Sequence, residues 1–138
     1  MRLIKALLLC ALVGLSACSQ IPTGSMQAPE QLVRQWTSTD MDDFSQGDFH
    51  PAVKALLNNA QQAREEQNWS RAMTWLDQAR QIAPRNAELF LRQAWVALQM
   101  DDQSLTRQLA ERGLVFSETE ATSIKLEQLV KESQSSGR

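Results

Sequence analysis

The sequence predicts an all-α protein, and two observations support this prediction. Glycine is scarce, Tyr is absent and aromatic residues make up only 6% of the chain, whereas Gln and Arg are frequent. Such a composition is typical of helices rather than sheets. Small and apolar residues also recur at a spacing of 34 residues when residues 53–86 are aligned with residues 87–120. Two helices per ~34 residues, with small residues where they touch, indicate a helical repeat array.

The start of the chain has the pattern of a secretory signal peptide. Arg2 and Lys5 give a short positive segment, and Ala6–Gly14 is an apolar run of nine residues. This run is much shorter than the ~20 residues that a membrane-spanning helix needs. The small residues Ser16 and Ala17 follow it, which completes the signal-peptide pattern. A buried N-terminal helix is the alternative interpretation.

The stretch Leu15-Ser16-Ala17-Cys18 resembles the lipobox of bacterial lipoproteins, in which an aliphatic residue and two small residues precede a Cys. The resemblance implies that residues 1–17 are removed and that Cys18 is the lipidation site, with a diacylglycerol on the thiol and an acyl chain on the new N-terminus. Two or more chains make a durable anchor, whereas one myristoyl-like chain binds only marginally. Cys10 would leave with the signal peptide, so no free thiol or disulfide is expected in the mature chain.

The residue after Cys18 bears on the choice of membrane. In the Gram-negative lipoproteins that this N-terminus resembles, an Asp there tends to retain the protein at the inner membrane, and this chain has Ser19. We therefore expect lipid anchoring in the outer membrane, facing the periplasm. Without residues 1–17 the chain has 12 basic and 16 acidic side chains, a net charge of −4. Such a surface has no attraction to anionic headgroups, and it lacks the basic footprint of nucleic-acid binding.

Residues 18–49 are predicted to be the lipidated N-terminus and a flexible linker. Ser19–Glu30 is small, polar, aperiodic and interrupted by two prolines and a glycine, as disordered segments are. The acidic stretch that follows does not match a calcium loop, because Phe44 and Ser45 stand where a ligand and a glycine are needed, counted from Asp40. A solvated acidic linker is therefore expected. Fully extended, residues 19–49 would reach at most about 100 Å.

Residues 50–135 are predicted to form the helical domain, and they resemble two tetratricopeptide repeats (TPR). In the first copy, Ala60 holds the small position of the first helix, Trp69 holds the aromatic position that opens the second, and Pro84 ends the unit. The second copy keeps Ala94 but departs at four template positions, where it has Gln103, Thr106, Gly113 and Glu118. The resemblance implies two TPR-like helical hairpins. A generic pair of helical hairpins is the alternative.

Local signals predict where the helices begin. Pro51 suits the first turn of helix one. Capping side chains for the later helices are Asn68 or Ser70, Asn86, Asp101 or Asp102, and Ser117 in a capping box with Glu120. The last of these begins a C-terminal capping helix over about residues 118–134, whose apolar face would cover the open end of the array, as repeat arrays require. Residues 136–138 are expected to be a disordered tail.

The resemblance to TPR arrays also implies a binding site. These arrays bind peptides or partner domains in a concave groove lined by the first helix of each repeat, at positions 5, 9 and 12. The implied partner-binding residues are Leu57, Gln61, Arg64, Leu91, Trp95 and Leu98. Each trio shares one helical face, and an exposed apolar stripe often marks a contact. Alternatively, Trp36 and its neighbours, or the capping helix, cover this stripe, because so small a fold needs its apolar contacts.

The sequence contains no constellation that indicates an enzyme. The single histidine, His50, precedes a predicted helix start and suits a cap or a solvated residue better than a catalytic base. A Gly-rich phosphate loop, metal-ligand spacing and a serine elbow are all missing. Glu65 and Glu66 are adjacent, so they point to different sides of a helix. We therefore expect neither catalysis nor a metal or cofactor, apart from the covalent lipid on Cys18.

These features together predict an adaptor for protein–protein interaction, anchored in the outer membrane and facing the periplasm. Anchor, linker and repeat type resemble the TPR lipoproteins that activate class A penicillin-binding proteins, the peptidoglycan synthases. Regulation of such a synthase, with a penicillin-binding protein as the partner, is the preferred hypothesis. The alternatives are an assembly or scaffold lipoprotein of a secretion or pilus system, and a structural lipoprotein that self-associates as a homodimer.

Overall fold

The computed structural model describes residues 35–136, and this part of the protein is all-α, which confirms the predicted fold class. A 3-10 turn at Ser38–Asp40 precedes five helices, which are α1 (Pro51–Glu65), α2 (Trp69–Ile82), α3 (Ala87–Gln99), α4 (Gln103–Val115) and α5 (Glu120–Ser135). No strand occurs between residues 35 and 136. The predicted signal peptide, Cys18 and the linker up to residue 34 lie outside the described residues.

The first four helices begin at predicted capping signals. Pro51 is the first residue of α1, and Nδ1 of His50 accepts a hydrogen bond of 3.2 Å from the backbone N–H of Ala52. The side chains of Asn68, Asn86 and Asp102 accept backbone N–H groups in the first turns of α2, α3 and α4, at 3.1, 2.9 and 2.9 Å. Each satisfies a donor that has no partner within its helix.

The predicted cap of α5 is wrong by two residues. Thr119, not Ser117, precedes the helix, and its hydroxyl accepts the backbone N–H of Thr122 at 3.2 Å. The hydroxyl of Ser117 instead bonds to the side chain of Ser123 and the carbonyl of Thr119. Ser117 therefore orders the turn before the helix, and the residue next to the first helical residue makes the cap.

Consecutive helices pack against one another, and α3 also contacts α5. The connections are three or four residues long, so neighbouring helices run antiparallel. Helix α3 lies at the centre, since ten of its residues are buried, namely Ala87 and the continuous run from Leu89 to Ala97. Helix α5 contributes Leu126 and Leu129, both fully buried, and so covers part of the core with the apolar face that the sequence predicts.

A glycine allows α3, α4 and α5 to meet. A Cβ added at Gly113 would lie 2.9 Å from the Cβ of Phe90 and 2.9 Å from a methyl group of Leu126. The first copy has Ala79 at the corresponding position, and that side chain is fully buried. The second copy therefore has the smaller residue where a third helix joins the pair.

Residues 36–49, which we call the strap, pack against the helices, although the sequence predicts a flexible linker up to residue 49. The side chains of Trp36, Met41 and Phe44 are all buried, and Phe44 is 0% exposed. The polar residues between them are mostly exposed, so the overall composition resembles that of a linker. The packed part of the chain thus includes Trp36, well ahead of the predicted domain boundary at residue 50.

Candidate functional site

Helices α1 and α3 carry the six residues that the TPR resemblance assigns to a groove. On α1, Leu57 is buried whereas Gln61 and Arg64 are half-buried. On α3, Leu91 and Trp95 are buried and Leu98 is half-buried. The sequence left two alternatives for this apolar stripe, an open groove or a covered one. In the structure the stripe is largely buried, and the strap lies against its central residue, Trp95.

Trp95 lies at the centre of the contact. Its ring meets Phe44 of the strap edge-on at a centroid distance of 5.7 Å and Trp69 of α2 edge-on at 5.8 Å. Its indole N–H donates to the carbonyl of Ser38 at 2.6 Å. Edge-to-face aromatic pairs add to the gain from burial, so Trp95 holds the strap by both its apolar ring and its polar group.

Arg64 binds two consecutive carbonyls of the strap. Its guanidinium donates to the carbonyl of Met41 at 2.8 Å and to that of Asp42 at 2.7 Å. The same group lies 4.5 Å from the ring centroid of Trp95 and 4.8 Å from that of Phe44, which are cation–π distances. Burial lowers the pKa of Arg64, and the nearby carboxylate of Asp43 opposes that effect. Arginine remains charged throughout the physiological range, so the clamp does not depend on pH.

Arg92 is a second arginine that binds carbonyls of the strap, and the sequence did not identify it as a site residue. Its side chain is 3% exposed and donates to the carbonyl of Phe44 at 2.8 Å and to that of Gln46 at 2.7 Å. It also donates to the carboxylate of Glu88 at 2.8 Å. The TPR template did not indicate Arg92, because Arg92 is at position 6 of its copy and the groove positions are 5, 9 and 12. The available signal was a charged residue inside an apolar run, since buried Arg is rare unless it is paired.

Glu88 is held in its charged form beside Arg92. Burial raises the pKa of its carboxyl, but hydrogen bonds from Thr122 at 2.7 Å and from Arg92 at 2.8 Å outweigh burial, so the pKa lies below its ordinary value. Thr122 belongs to α5. The Arg92–Glu88 pair therefore connects the strap through α3 to the capping helix.

Helices α1 and α5 supply the remaining anchors of the strap. The side-chain oxygen of Gln61 accepts the backbone N–H of Phe44 at 3.0 Å. On α5, Glu132 accepts the backbone N–H of Ser38 at 3.2 Å, and the ammonium of Lys125 pairs with the carboxylate of Asp42 at 3.2 Å. The strap thus contacts three helices and crosses the groove from the α5 side toward the start of α1.

The groove recognises mainly the backbone of its occupant. Side chains of the helices bond to backbone atoms of Ser38, Met41, Asp42, Phe44 and Gln46. The ring of Phe44 is the one strap side chain that is fully buried among them. Recognition of carbonyl and N–H groups plus one aromatic anchor is how peptide-binding sites hold a chain segment.

A cavity of about 460 Å³ lies away from the groove, where the turns before α3 and α5 meet. Arg85, Glu88, Phe116 and Thr122 are among its lining residues. Within residues 35–136, none of the buried polar side-chain atoms that lack a hydrogen bond belongs to the lining of this cavity. We favour the groove as the functional site because its polar groups converge on a bound segment.

Between residues 35 and 136, no three His, Cys, Asp or Glu side chains come together as metal ligands. In the same part of the chain, no helix combines the length and the apolar character needed to cross a bilayer. Comparison of the chain with family models, curated proteins and solved structures gives no match. The function is therefore proposed from the residues and their geometry.

Proposed function

We propose that this protein is a lipid-anchored adaptor of the bacterial envelope that binds another protein through the groove between α1 and α3. One observation carries the proposal. Arg64, Arg92 and Trp95 bind main-chain carbonyls of the strap, and Arg64 and Trp95 contact the ring of its Phe44. A site with this chemistry can hold a peptide segment.

The packing of small residues supports the TPR-like interpretation of the helices. The small positions of α1 and α3, Ala60 and Ala94, are fully buried, as are Ala72 and Ala79 of α2. Small residues at these places let neighbouring helices approach closely, as in a helical repeat array. We assign the adaptor role to the groove because TPR arrays, which these hairpins resemble, bind their partners there.

The lipobox-like stretch before Cys18 supports anchoring, and Ser19 supports the outer membrane facing the periplasm. The test is metabolic labelling with a palmitate analogue. Wild type is expected to incorporate label and to fractionate with the outer membrane, whereas Cys18→Ser incorporates none. Cys10→Ser serves as the matched control and retains full labelling. Equal labelling of wild type and Cys18→Ser would exclude Cys18 as the lipidation site.

A class A penicillin-binding protein is the preferred partner, because anchor, linker and repeat type together resemble the lipoprotein activators of these synthases. The test measures glycan polymerisation and peptide crosslinking by a purified synthase with and without the chain from Ser19 onward. We expect the chain to stimulate the synthase. The variant Arg64→Ala is expected to lose most of the stimulation, whereas the control Arg107→Ala, at an exposed arginine of α4, retains it. No stimulation by the wild-type chain would exclude this partner.

A further inference from the structure

The strap and a partner cannot occupy the groove together, so the strap identifies the chemistry that the groove accepts. We propose that the partner presents an acidic, turn-forming segment with one aromatic residue, and that it displaces the strap, which is the chain's own version of that ligand. The inference rests on the proposed adaptor function and deepens it. It concerns Met41 to Gln46, Met-Asp-Asp-Phe-Ser-Gln, as the internal ligand.

The aromatic requirement follows from the surroundings of Phe44. Its ring is 0% exposed, lies edge-on to Trp95 at 5.7 Å and faces the guanidinium of Arg64 at 4.8 Å. An aliphatic side chain would keep the burial but lose both the edge-to-face contact and the cation–π contact. The groove therefore selects an aromatic anchor at this point.

The requirement for a turn follows from the hydrogen bonds around Asp43. Its carboxylate accepts the backbone N–H of Ser45 at 2.7 Å, and its carbonyl accepts the backbone N–H of Gln46 at 3.0 Å. An Asp that bonds to the backbone two residues later preorganises a turn. This turn directs Phe44 into the groove. Arg92 binds the carbonyls of Phe44 and Gln46, the residues before and after Ser45.

The acidic requirement follows from the charges that face the strap. Arg64, Arg92 and Lys125, from three different helices, all contact it. Lys125 pairs directly with Asp42, and the carboxylate of Asp43 acts on Arg64. On the other side of the balance, Glu88 of α3 pairs with Arg92, and Glu132 of α5 accepts the backbone N–H of Ser38. Arg64 and Lys125 are therefore the cations that face the two Asp residues of the strap. A partner segment with two acidic residues beside its aromatic residue would match this arrangement.

The strap is not a continuation of helix α1, which begins at Pro51. The strap is therefore held in place by its own contacts with the helices. Gly47 has a φ of 118°, a value that side chains other than glycine rarely adopt, and a Cβ there would lie 2.7 Å from the ring of Phe49. Because the strap is covalently attached, its effective concentration is in the range of about 1 mM or above. A competing segment in solution is therefore expected to bind wild type weakly.

The test uses a fluorescent synthetic peptide of residues 38–48 and the intact chain from Ser19 onward. The variant Phe44→Ala weakens the internal ligand, so the labelled peptide is expected to bind it at least about tenfold more tightly than wild type, since more of the chain is in the open state. A peptide with Ala in place of its Phe, and one with Asn in place of both central Asp residues, are the matched controls. Both are expected to bind at least about tenfold more weakly.

A second variant keeps the test decisive if Phe44→Ala does not fold. The double substitution Ser38→Cys with Glu132→Cys places two thiols on neighbouring parts of the strap and α5, since Glu132 accepts the backbone N–H of Ser38. A reducible bis-methanethiosulfonate reagent with a spacer then joins the two thiols and locks the strap. The locked form is expected to bind no peptide, and reduction is expected to restore binding. Equal binding by locked and reduced forms would overturn the proposal.

Three further results would each identify a different occupant of the groove or a different role for the strap. Failure of the peptide to bind either Phe44→Ala or the reduced double variant would overturn the proposal and leave the strap as a permanent part of the fold. Dimers of Phe44→Ala in sedimentation, without peptide binding, would overturn it in favour of a second copy as the occupant. If the synthase is stimulated but the peptide does not bind, the acidic aromatic ligand is wrong and the adaptor function stands.

Discussion

Helices α1 and α3 occupy equivalent places in the two copies of the repeat pattern, but their environments differ widely. Helix α1 buries four residues, Val53, Leu57, Ala60 and Ala63, which all lie on one face. Helix α3 buries ten, including Arg92 and Gln93. The first copy nevertheless matches the repeat template more closely. Burial here is therefore set by the number of neighbours a helix has, and α3 has α2, α4, α5 and the strap around it.

The difference has consequences for polar residues as well. Position 6 of the first copy is Asn58, which is exposed, and position 6 of the second is Arg92, which is 3% exposed. A buried polar group without a hydrogen bond costs about 1–3 kcal/mol or more, and Arg92 avoids this cost through its bonds to the strap and to Glu88. At position 6, helix α3 therefore has a polar residue that binds the strap, whereas helix α1 has one that faces solvent.

The largest expected effect contrasts position 4 of the two copies. Phe90 of α3 is buried and stacks on Phe116 at 5.7 Å, whereas its counterpart on α1, Leu56, is half-buried. We expect Phe90→Ala to reduce the free energy of unfolding by about 3–5 kcal/mol and Leu56→Ala to reduce it by about 1 kcal/mol. Urea titrations followed by circular dichroism measure both. Equal losses would mean that the two helices are not in different environments in solution.

The next contrast concerns the two arginines that clamp the strap, Arg92 on α3 and Arg64 on α1. Removal of Arg92 leaves the half-buried carboxylate of Glu88 without its partner and frees two strap carbonyls. We expect Arg92→Ala to destabilise the chain by about 2–4 kcal/mol, because bonds to charged groups contribute about 1.5–3 kcal/mol. Arg64→Ala is expected to cost about half as much, since Arg64 is more exposed. A larger loss for Arg64→Ala would contradict this ranking.

A smaller effect is expected where α3, α4 and α5 meet. Gly113→Ala adds a methyl group 2.9 Å from the Cβ of Phe90, and overpacking of this kind costs about 1–3 kcal/mol. The gain of helix propensity, about 1 kcal/mol, opposes it, so the expected net loss is up to about 2 kcal/mol. The matched change in the first copy, Ala79→Gly, is also destabilising, by about 1 kcal/mol. Stabilisation by Gly113→Ala would show that the close approach is absent.

The smallest effect concerns the pH dependence contributed by Glu88 of α3. The pKa of Glu88 is lowered in the folded state, so its contribution to stability is fully present above the unfolded pKa of ~4.3 and is lost as the pH falls through the folded value. We expect wild type to be more stable than Glu88→Gln at pH 6, with the difference shrinking below pH ~4. Glu65→Gln, at an exposed residue of α1, is the control. A difference that grows on acidification would reverse the assigned direction.

The helices could be predicted because their signals are local. Pro51, Asn68, Asn86 and Asp102 mark helix starts within a few residues of the bonds they make. The groove residues were assigned from the resemblance to TPR arrays, and their role in binding a partner stays a prediction. Prediction was less exact at α5, where several hydroxyl residues stand close together and Thr119 makes the cap instead of Ser117.

The sequence raised coverage of the stripe by Trp36 and its neighbours only as an alternative, because the contacts of the strap are distant in sequence and involve main-chain atoms. Arg92 bonds to the carbonyl of a residue 48 positions earlier, and Trp95 to one 57 positions earlier. Carbonyl groups leave no trace in a sequence, since every residue has one. The buried side chains of Trp36, Met41 and Phe44 are spaced without a helical or strand period, so the packing of Met41 and Phe44 was not indicated by the sequence.

Under the proposed anchoring at Cys18, the strap would also set how far the helical domain can stand from the membrane. If the lipid is on Cys18, residues 19–35 alone connect it to the docked strap. Their fully extended length would be at most about 56 Å at ~3.3 Å per residue. Release of residues 36–49 adds up to about 46 Å. Occupancy of the groove and the reach of the domain are then linked. A partner that displaces the strap also lengthens the segment that connects the domain to its lipid.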